Sequence, residues 1–236
     1  DYLLVKAIFD KGKAKWGIRT VTMKLKESRT TMNHKKVRRI MNKYNLLTKI
    51  RRRNPYKMIM KKSLGHRTFE NILQREFRLS LPFTVFSTDI TYIPFSHRFA
   101  YLSGVKDVCS GEVVAWNLGR TLEMDLVMDT IRAMRYEKAM IHSDQGFHYT
   151  NPLYVERIRE LGMVQSMSRK GNCIDNAPIE SFFGHLKDEV DYRSATTFEE
   201  LYAMIEEYMR YYNHERHQWE LKKMTPVEYR NHLLAG

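Results

Sequence analysis

The chain has 236 residues, 43% of them hydrophobic, which sets it far from a disordered chain and suits one domain of good size plus a smaller one. No uninterrupted apolar run approaches the ~18 residues that span a bilayer, and no signal-peptide pattern opens the sequence, so no membrane partner is expected. Cys109 and Cys173 stand far apart and outside any CxxC spacing, which argues against a zinc site or a disulfide framework and for a reducing, cytoplasmic compartment.

The opening residue is Asp1 rather than Met, which leads us to expect a fragment or the downstream part of a longer product. The net charge of +13 is unevenly spread. Residues 1–80 hold 23 Lys and Arg against 5 Asp and Glu, whereas residues 81–236 hold 17 against 22. A basic arm on a mildly acidic body suits an enzyme of nucleic acid, because the arm neutralises phosphates and releases their counterions. A ribosome-like or membrane-surface basic segment is the alternative that charge alone leaves open.

Three segments, 2–11, 18–27 and 33–44, carry apolar residues at helical spacing. In the third, Val37, Ile40, Met41 and Tyr44 form one stripe, while Lys35, Lys36, Arg38, Arg39 and Lys43 occupy the other faces. Three short helices ending on a basic one predict a helix-turn-helix-like region over 1–55, with a generic amphipathic bundle as the other reading. Arg51, Arg52 and Arg53 lie in a stretch without apolar periodicity, read as an extended basic segment. Residues 56–80 stay basic and are expected to link two domains.

From residue 81 the pattern turns to short runs rich in Val, Tyr, Phe and Thr. Strands are expected at 83–93, 100–108 and 112–118, bounded by Pro94-Phe95-Ser96-His97 and Ser110-Gly111. A helix (123–135), a strand (138–142), a helix (151–161) and a strand (163–167) follow. After the turn-rich stretch 168–172 the chain reads helical to its end, with breaks near Arg193-Ser194 and at Thr225-Pro226. This order predicts an α/β domain over 81–236, compatible with a ribonuclease-H-like core.

Three carboxylates stand out. Asp89 lies mid-strand and shares a face with Val85, Ser87 and Thr91 by alternation. A charge there needs a partner, either a metal ion or a cationic side chain. Asp144 follows a short strand in Ile141-His142-Ser143-Asp144-Gln145-Gly146, where ligands of α/β sheets gather, although a turn-forming Asp reads the same way. Glu180 sits one turn into a helix that Asn176 is placed to cap and Pro178 to start. Asn176, Glu180, Phe183 and Lys187 share a face, offering a carboxylate for a metal and a lysine for a phosphate; the bland reading is a glutamate favoured by the helix dipole.

With these strings in view, the chain resembles the transposases of bacterial insertion sequences that carry a retroviral-integrase catalytic core, in particular the downstream-frame product of two-frame elements. Thirty-five residues separate Asp144 from Glu180, the family's D,D-35-E spacing. The resemblance extends through Thr88-Asp89-Ile90-Thr91-Tyr92, His142-Ser143-Asp144-Gln145-Gly146 with Tyr149, and Ser166 to Asn172. It also takes in Tyr212-Asn213-His214-Glu215-Arg216 and Thr225-Pro226-Val227-Glu228-Tyr229. It covers 81–236, and residues 15–55 resemble the helix-turn-helix segment that precedes such cores. Phe86 departs from the Trp of many relatives, at an expected core position.

The resemblance implies a mixed five-stranded sheet with flanking helices, and a catalytic, metal-binding triad of Asp89, Asp144 and Glu180. It implies Lys187 as a DNA contact near that triad. Hard carboxylates suit two Mg²⁺ ions, with Mn²⁺ substituting, at a separation of about 3.5–4 Å, one for the attacking and one for the leaving oxygen. The expected reaction frees a 3′-hydroxyl at an element end and joins it to a second phosphodiester, with no covalent protein–DNA intermediate.

Arg169, Lys170 and Asn172 before the last core helix, and His142, are candidate DNA contacts; packing is the alternative for His142. The expected partners are double-stranded DNA, further copies of the chain, and an upstream-frame product or fused N-terminal domain. Competing readings are a nuclease of the same fold that does not join ends, a repressor with an inactive core, and a tyrosine recombinase using Tyr92, Tyr149 or Tyr212.

Overall fold

The computed structural model describes residues 1–48, 68–169 and 173–236. Arg51, Arg52 and Arg53 lie outside the described residues, as do Lys170 and Asn172. Among the described residues no helix is long and apolar enough to cross a membrane.

The three N-terminal helices form where periodicity places them, as α1 (Tyr2–Lys11), α2 (Ile18–Glu27) and α3 (His34–Lys43). Each contributes one apolar stripe to a shared core: Val5 and Phe9, Val21 and Leu25, then Val37, Ile40 and Met41. Asn33 starts α3, its side chain accepting from the Lys35 amide at 2.8 Å.

The larger unit is built on a mixed five-stranded sheet in the order β3-β2-β1-β4-β5. Strands β1 (Val85–Phe95), β2 (Arg98–Asp107) and β3 (Val113–Gly119) run antiparallel, and β4 (Met140–Ser143) and β5 (Val164–Met167) add in parallel beyond β1. Both ends of β1 move from the expected ones. Phe83 has φ +65°, so β1 begins at Val85, and the hairpin turns on Ser96 and His97 alone, both at positive φ, so Pro94 and Phe95 stay in the strand.

Helices cover both faces. On one, Phe86, Val105, Ile141 and Met167 pack with residues of α4 (Met124–Ala133), the short α5 (Phe147–Thr150) and α6 (Pro152–Glu160). On the other, Ile93, Ala100, Leu102 and Leu118 lie under α7 (Ala177–Glu189) and α8 (Phe198–His214). A last helix, α9 (Pro226–Leu234), starts at Thr225 with a reciprocal Thr225–Glu228 cap.

The expected helix through 215–224 is not formed. Lys222 and Lys223 have φ of +52° and +66°, and this stretch is spent on contacts with the N-terminal helices instead. Arg19 meets Glu220 at 2.9 Å, His217 meets Glu27 at 3.0 Å, and the Trp219 ring lies 5.6 Å from that of His34. Tertiary contacts outweigh a weak helical pattern here.

The described half of the expected linker lies on the core. The amides of Ile72 and Leu73 donate to Ser166 Oγ, and Leu73 packs against Val85 and Val108.

Candidate active site

The parallel pairing of β1 with β4 sets Val85 against Met140, Phe86 against Ile141 and Ser87 against His142. Two residues further on, each chain presents an aspartate, Asp89 and Asp144, so the two carboxylates arise side by side from adjacent strands. Both are half-buried. Asp89 Oδ1 accepts from the Ile90 amide at 2.8 Å, and Asp144 Oδ1 from the Gly146 amide at 2.8 Å. The Asx turn weighed for Asp144 is therefore present, and it fixes the carboxylate at the strand end.

Gly146 is required for space. Its φ is −66°, open to any residue, but a Cβ there would lie 2.7 Å from Asp144 Oδ1. The buried Tyr149 phenol is held well above the usual tyrosine range by burial and by the nearby Asp89 and Asp144 charges. Tyr149 and Tyr212 are buried in the core, out of reach of a DNA phosphate, which argues against either as a nucleophile.

Glu180 comes from α7, whose buried stripe Ile179, Phe182, Phe183 and Leu186 packs on the sheet. A Cβ on Gly104, the β2 partner of Asp89, would lie 3.5 Å from Phe183, so α7 passes over that very pair. The helix is tied to β1 on both sides of Asp89. Asn176 accepts from Ser87 Oγ at 3.0 Å and donates to the Thr88 carbonyl at 3.2 Å, while Lys187 donates to Thr91 Oγ1. Lys106 Nζ adds a bond to the Pro178 carbonyl at 3.0 Å.

Glu180 is half-buried between these ties. As the side chains stand, no three His, Cys, Asp or Glu groups among the described residues are close enough together to hold an ion. The backbone placement and the all-oxygen donor set fit a hard divalent ion.

The candidate DNA contacts divide. Lys35, Arg38 and Arg39 are exposed on α3, while Lys36 pairs with Asp1 at 2.5 Å. Arg169 is 60% exposed but turned onto Asp175, at 3.1 Å from Oδ2. His142 is corrected: it is fully buried, with Nδ1 2.9 Å from Ser166 Oγ and burial holding its imidazole below the ordinary histidine value, so it cannot touch DNA.

Sequence reasoning missed Asp175, whose fully buried carboxylate takes Arg75 Nε at 2.6 Å, Asn71 Nδ2 at 3.0 Å and the Arg169 amide at 3.0 Å. Its ion pairs keep it ionised, well below the usual carboxylate range. The signal available was an acidic residue next to a helix-starting Asn, which reads as a loop.

Comparison with known proteins fits this geometry. Family models for the integrase core domain match residues 80–173 and 180–234, and one for an HTH-like domain matches 1–54. A transposase-like protein of Haemophilus influenzae is 40% identical over 91% of this chain and all of its own. The protein InsK of Escherichia coli K12, assigned as transposase of insertion sequence element IS150, is 36% identical over 96% of this chain and 81% of its own.

The chain belongs to the insertion-sequence transposases with an integrase core.

The fold of this transposase is also that of the HTLV-2 integrase catalytic core domain, with a TM-score of 0.51 at 14% identity over 64% of this chain and 97% of that one. A transposase with an integrase core is a polynucleotidyl transferase, and the HTH-like match falls on its basic N-terminal helices.

Proposed function

We propose that Asp89, Asp144 and Glu180 hold two divalent ions, Mg²⁺ or in its place Mn²⁺, and that the transposase frees a 3′-hydroxyl at each element end and joins it to target DNA. The observation that carries this reading is the convergence on β1. Two aspartates arise from adjacent parallel strands beside one phenol, and the helix bearing the glutamate is tied to the backbone directly before Asp89. The related HTLV-2 core domain is described in complex with magnesium.

When bound, such ions neutralise the phosphodiester and polarise the attacking and leaving oxygens. The chain's own part is to hold still. The Ile90 and Gly146 amides orient the two aspartates, and α7 brings Glu180 over the Asp89–Gly104 pair. Lys187 and Arg169 act as a phosphate grip, with Lys170 and Asn172, which follow Arg169 closely in sequence, as further contacts. Lys35, Lys36, Arg38 and Arg39 of α3, extended by Arg51, Arg52 and Arg53, supply the sequence-independent attraction to the duplex.

Residues 1–55 act as the DNA-binding region, 56–80 as the connection and 81–236 as the core. The working form is a cytoplasmic homo-oligomer on paired ends, with an upstream-frame product or fused N-terminal domain as a further partner.

The test is cleavage and joining of a labelled element-end duplex with Mg²⁺ or Mn²⁺, comparing wild type with Asp89→Asn, Asp144→Asn and Glu180→Gln. Joined products that need metal and vanish in all three variants support the triad. Full activity in any one variant removes that residue from it, and cleavage without joining makes the chain a nuclease.

A further inference from the structure

Asn176 occupies the N-cap of α7, where a side chain ordinarily turns back to accept from the helix's own amides. Here it makes no such bond. It is 2% exposed and spends its amide on β1 instead, accepting from Ser87 Oγ and donating to the Thr88 carbonyl, the residue before Asp89. The preceding residue faces the other way: Asp175, 1% exposed, is locked by Arg75 and Asn71 to the segment that enters the core, and by Arg169 to the stretch just after β5. Consecutive side chains therefore clamp the start of α7 between β1 and residues 71–75.

We propose that Asn176, backed by Asp175, is a positioning residue that sets the separation of Glu180 from Asp89. This rests on the reading that those two carboxylates share metal ions. Glu180 lies four residues beyond Asn176, a rise of about 6 Å on a rigid helix, so any slide at the clamp is passed to the carboxylate undiminished. Constellations of this kind work within about 0.5 Å of their productive geometry.

The experiment uses the full chain and two readouts: Mn²⁺ binding by calorimetry without DNA, and the Mn²⁺ concentration giving half-maximal cleavage. Asn176→Ala loses both bonds to β1, and Asn176→Asp loses the donor to Thr88 alone. Removing a group that orients a metal ligand weakens metal binding roughly 10–100-fold, so Asn176→Ala is expected to shift both readouts by at least about tenfold while duplex affinity stays within about twofold. Asn176→Asp falls between it and wild type.

A purely structural role would lower the melting temperature but leave the folded protein with wild-type metal binding, and that result overturns the proposal. Should Asn176→Ala fail to fold, Asn176→Asp decides on the same criterion. Glu180→Gln is the separate control. If it binds Mn²⁺ and cleaves as wild type does, the triad reading fails, independently of what the Asn176 variants do.

Discussion

Arg216 grips both carboxylate oxygens of Glu189, with Nη2 2.7 Å from Oε1 and Nε 2.9 Å from Oε2, the two side chains only 11% and 14% exposed. Tyr208 adds its hydroxyl to Oε2 at 3.1 Å. The pair fastens the last residue of α7 to the segment after α8, which gives the Tyr212-Asn213-His214-Glu215-Arg216 string a structural meaning. Removing one member of a buried pair strands the other charge, so Arg216→Ala is expected to cost about 3–5 kcal/mol in urea unfolding. Replacing both members with Met should recover much of that loss. A cost below about 1 kcal/mol for the single variant would show that the pair is not buried in solution.

His185 adds a pH dependence. Burial, helped by the Arg216 charge, pushes its imidazole down to about 4. A folded value below the unfolded one, about 6.5, means that the unfolded chain takes up the proton first. The stability this site contributes is complete above pH 6.5 and is lost as pH falls toward 4, at up to about 1.4 kcal/mol per pH unit. Melting curves between pH 7.5 and 4.5 should therefore slope less for His185→Gln than for wild type. Parallel slopes would rule out a depressed titration of the half-buried His185.

The elements were legible wherever burial follows a simple period. The stripe Val37, Ile40 and Met41 announced α3, and the run from Val85 to Ile93 announced β1. Asp89, Asp144 and Glu180 could be singled out as the proposed triad because their spacing and surrounding strings match a family. Long-range polar pairing was hidden. Asn176 reads as a cap, yet its partners lie on β1, some 90 positions back in sequence. Asp175 pairs with Arg75, which in the sequence is one more basic residue of a basic arm. The 215–224 stretch failed for the same reason, since its conformation follows from helices nearly 200 residues upstream.

Gly146→Ala separates geometry from charge at Asp144. A Cβ 2.7 Å from Oδ1 would force the carboxylate off the Gly146 amide while leaving all three proposed ligands in the sequence. The expected outcome is a fold stable to within about 1–2 kcal/mol of wild type, and cleavage reduced roughly 100-fold because the ligand is misaimed. Gly104→Ala is the contrast. Its Cβ would meet Phe183 at an ordinary 3.5 Å, so activity should stay close to wild type. Equal losses in the two variants would mean that Gly146 matters only for packing.

The seam between the N-terminal helices and the core holds two kinds of contact that salt can tell apart. Arg19 and Glu220 pair at 2.9 Å with side chains 63% and 81% exposed, so their attraction is largely screened. Trp219 offers its ring to His34 at 5.6 Å, to Arg19 at 5.5 Å and to Lys223 at 4.8 Å, contacts that depend on desolvated apolar area as well as charge. Glu220→Ala should cost no more than about 1 kcal/mol, and that cost should vanish in high salt. Trp219→Ala should cost about 3 kcal/mol or more, with most of the loss surviving at high salt. A His34→Ala, Trp219→Ala double-mutant cycle measures the direct coupling, expected near 0.5–1.5 kcal/mol. A coupling of zero would mean that the helix-turn-helix-like unit does not dock on the core through this ring in solution.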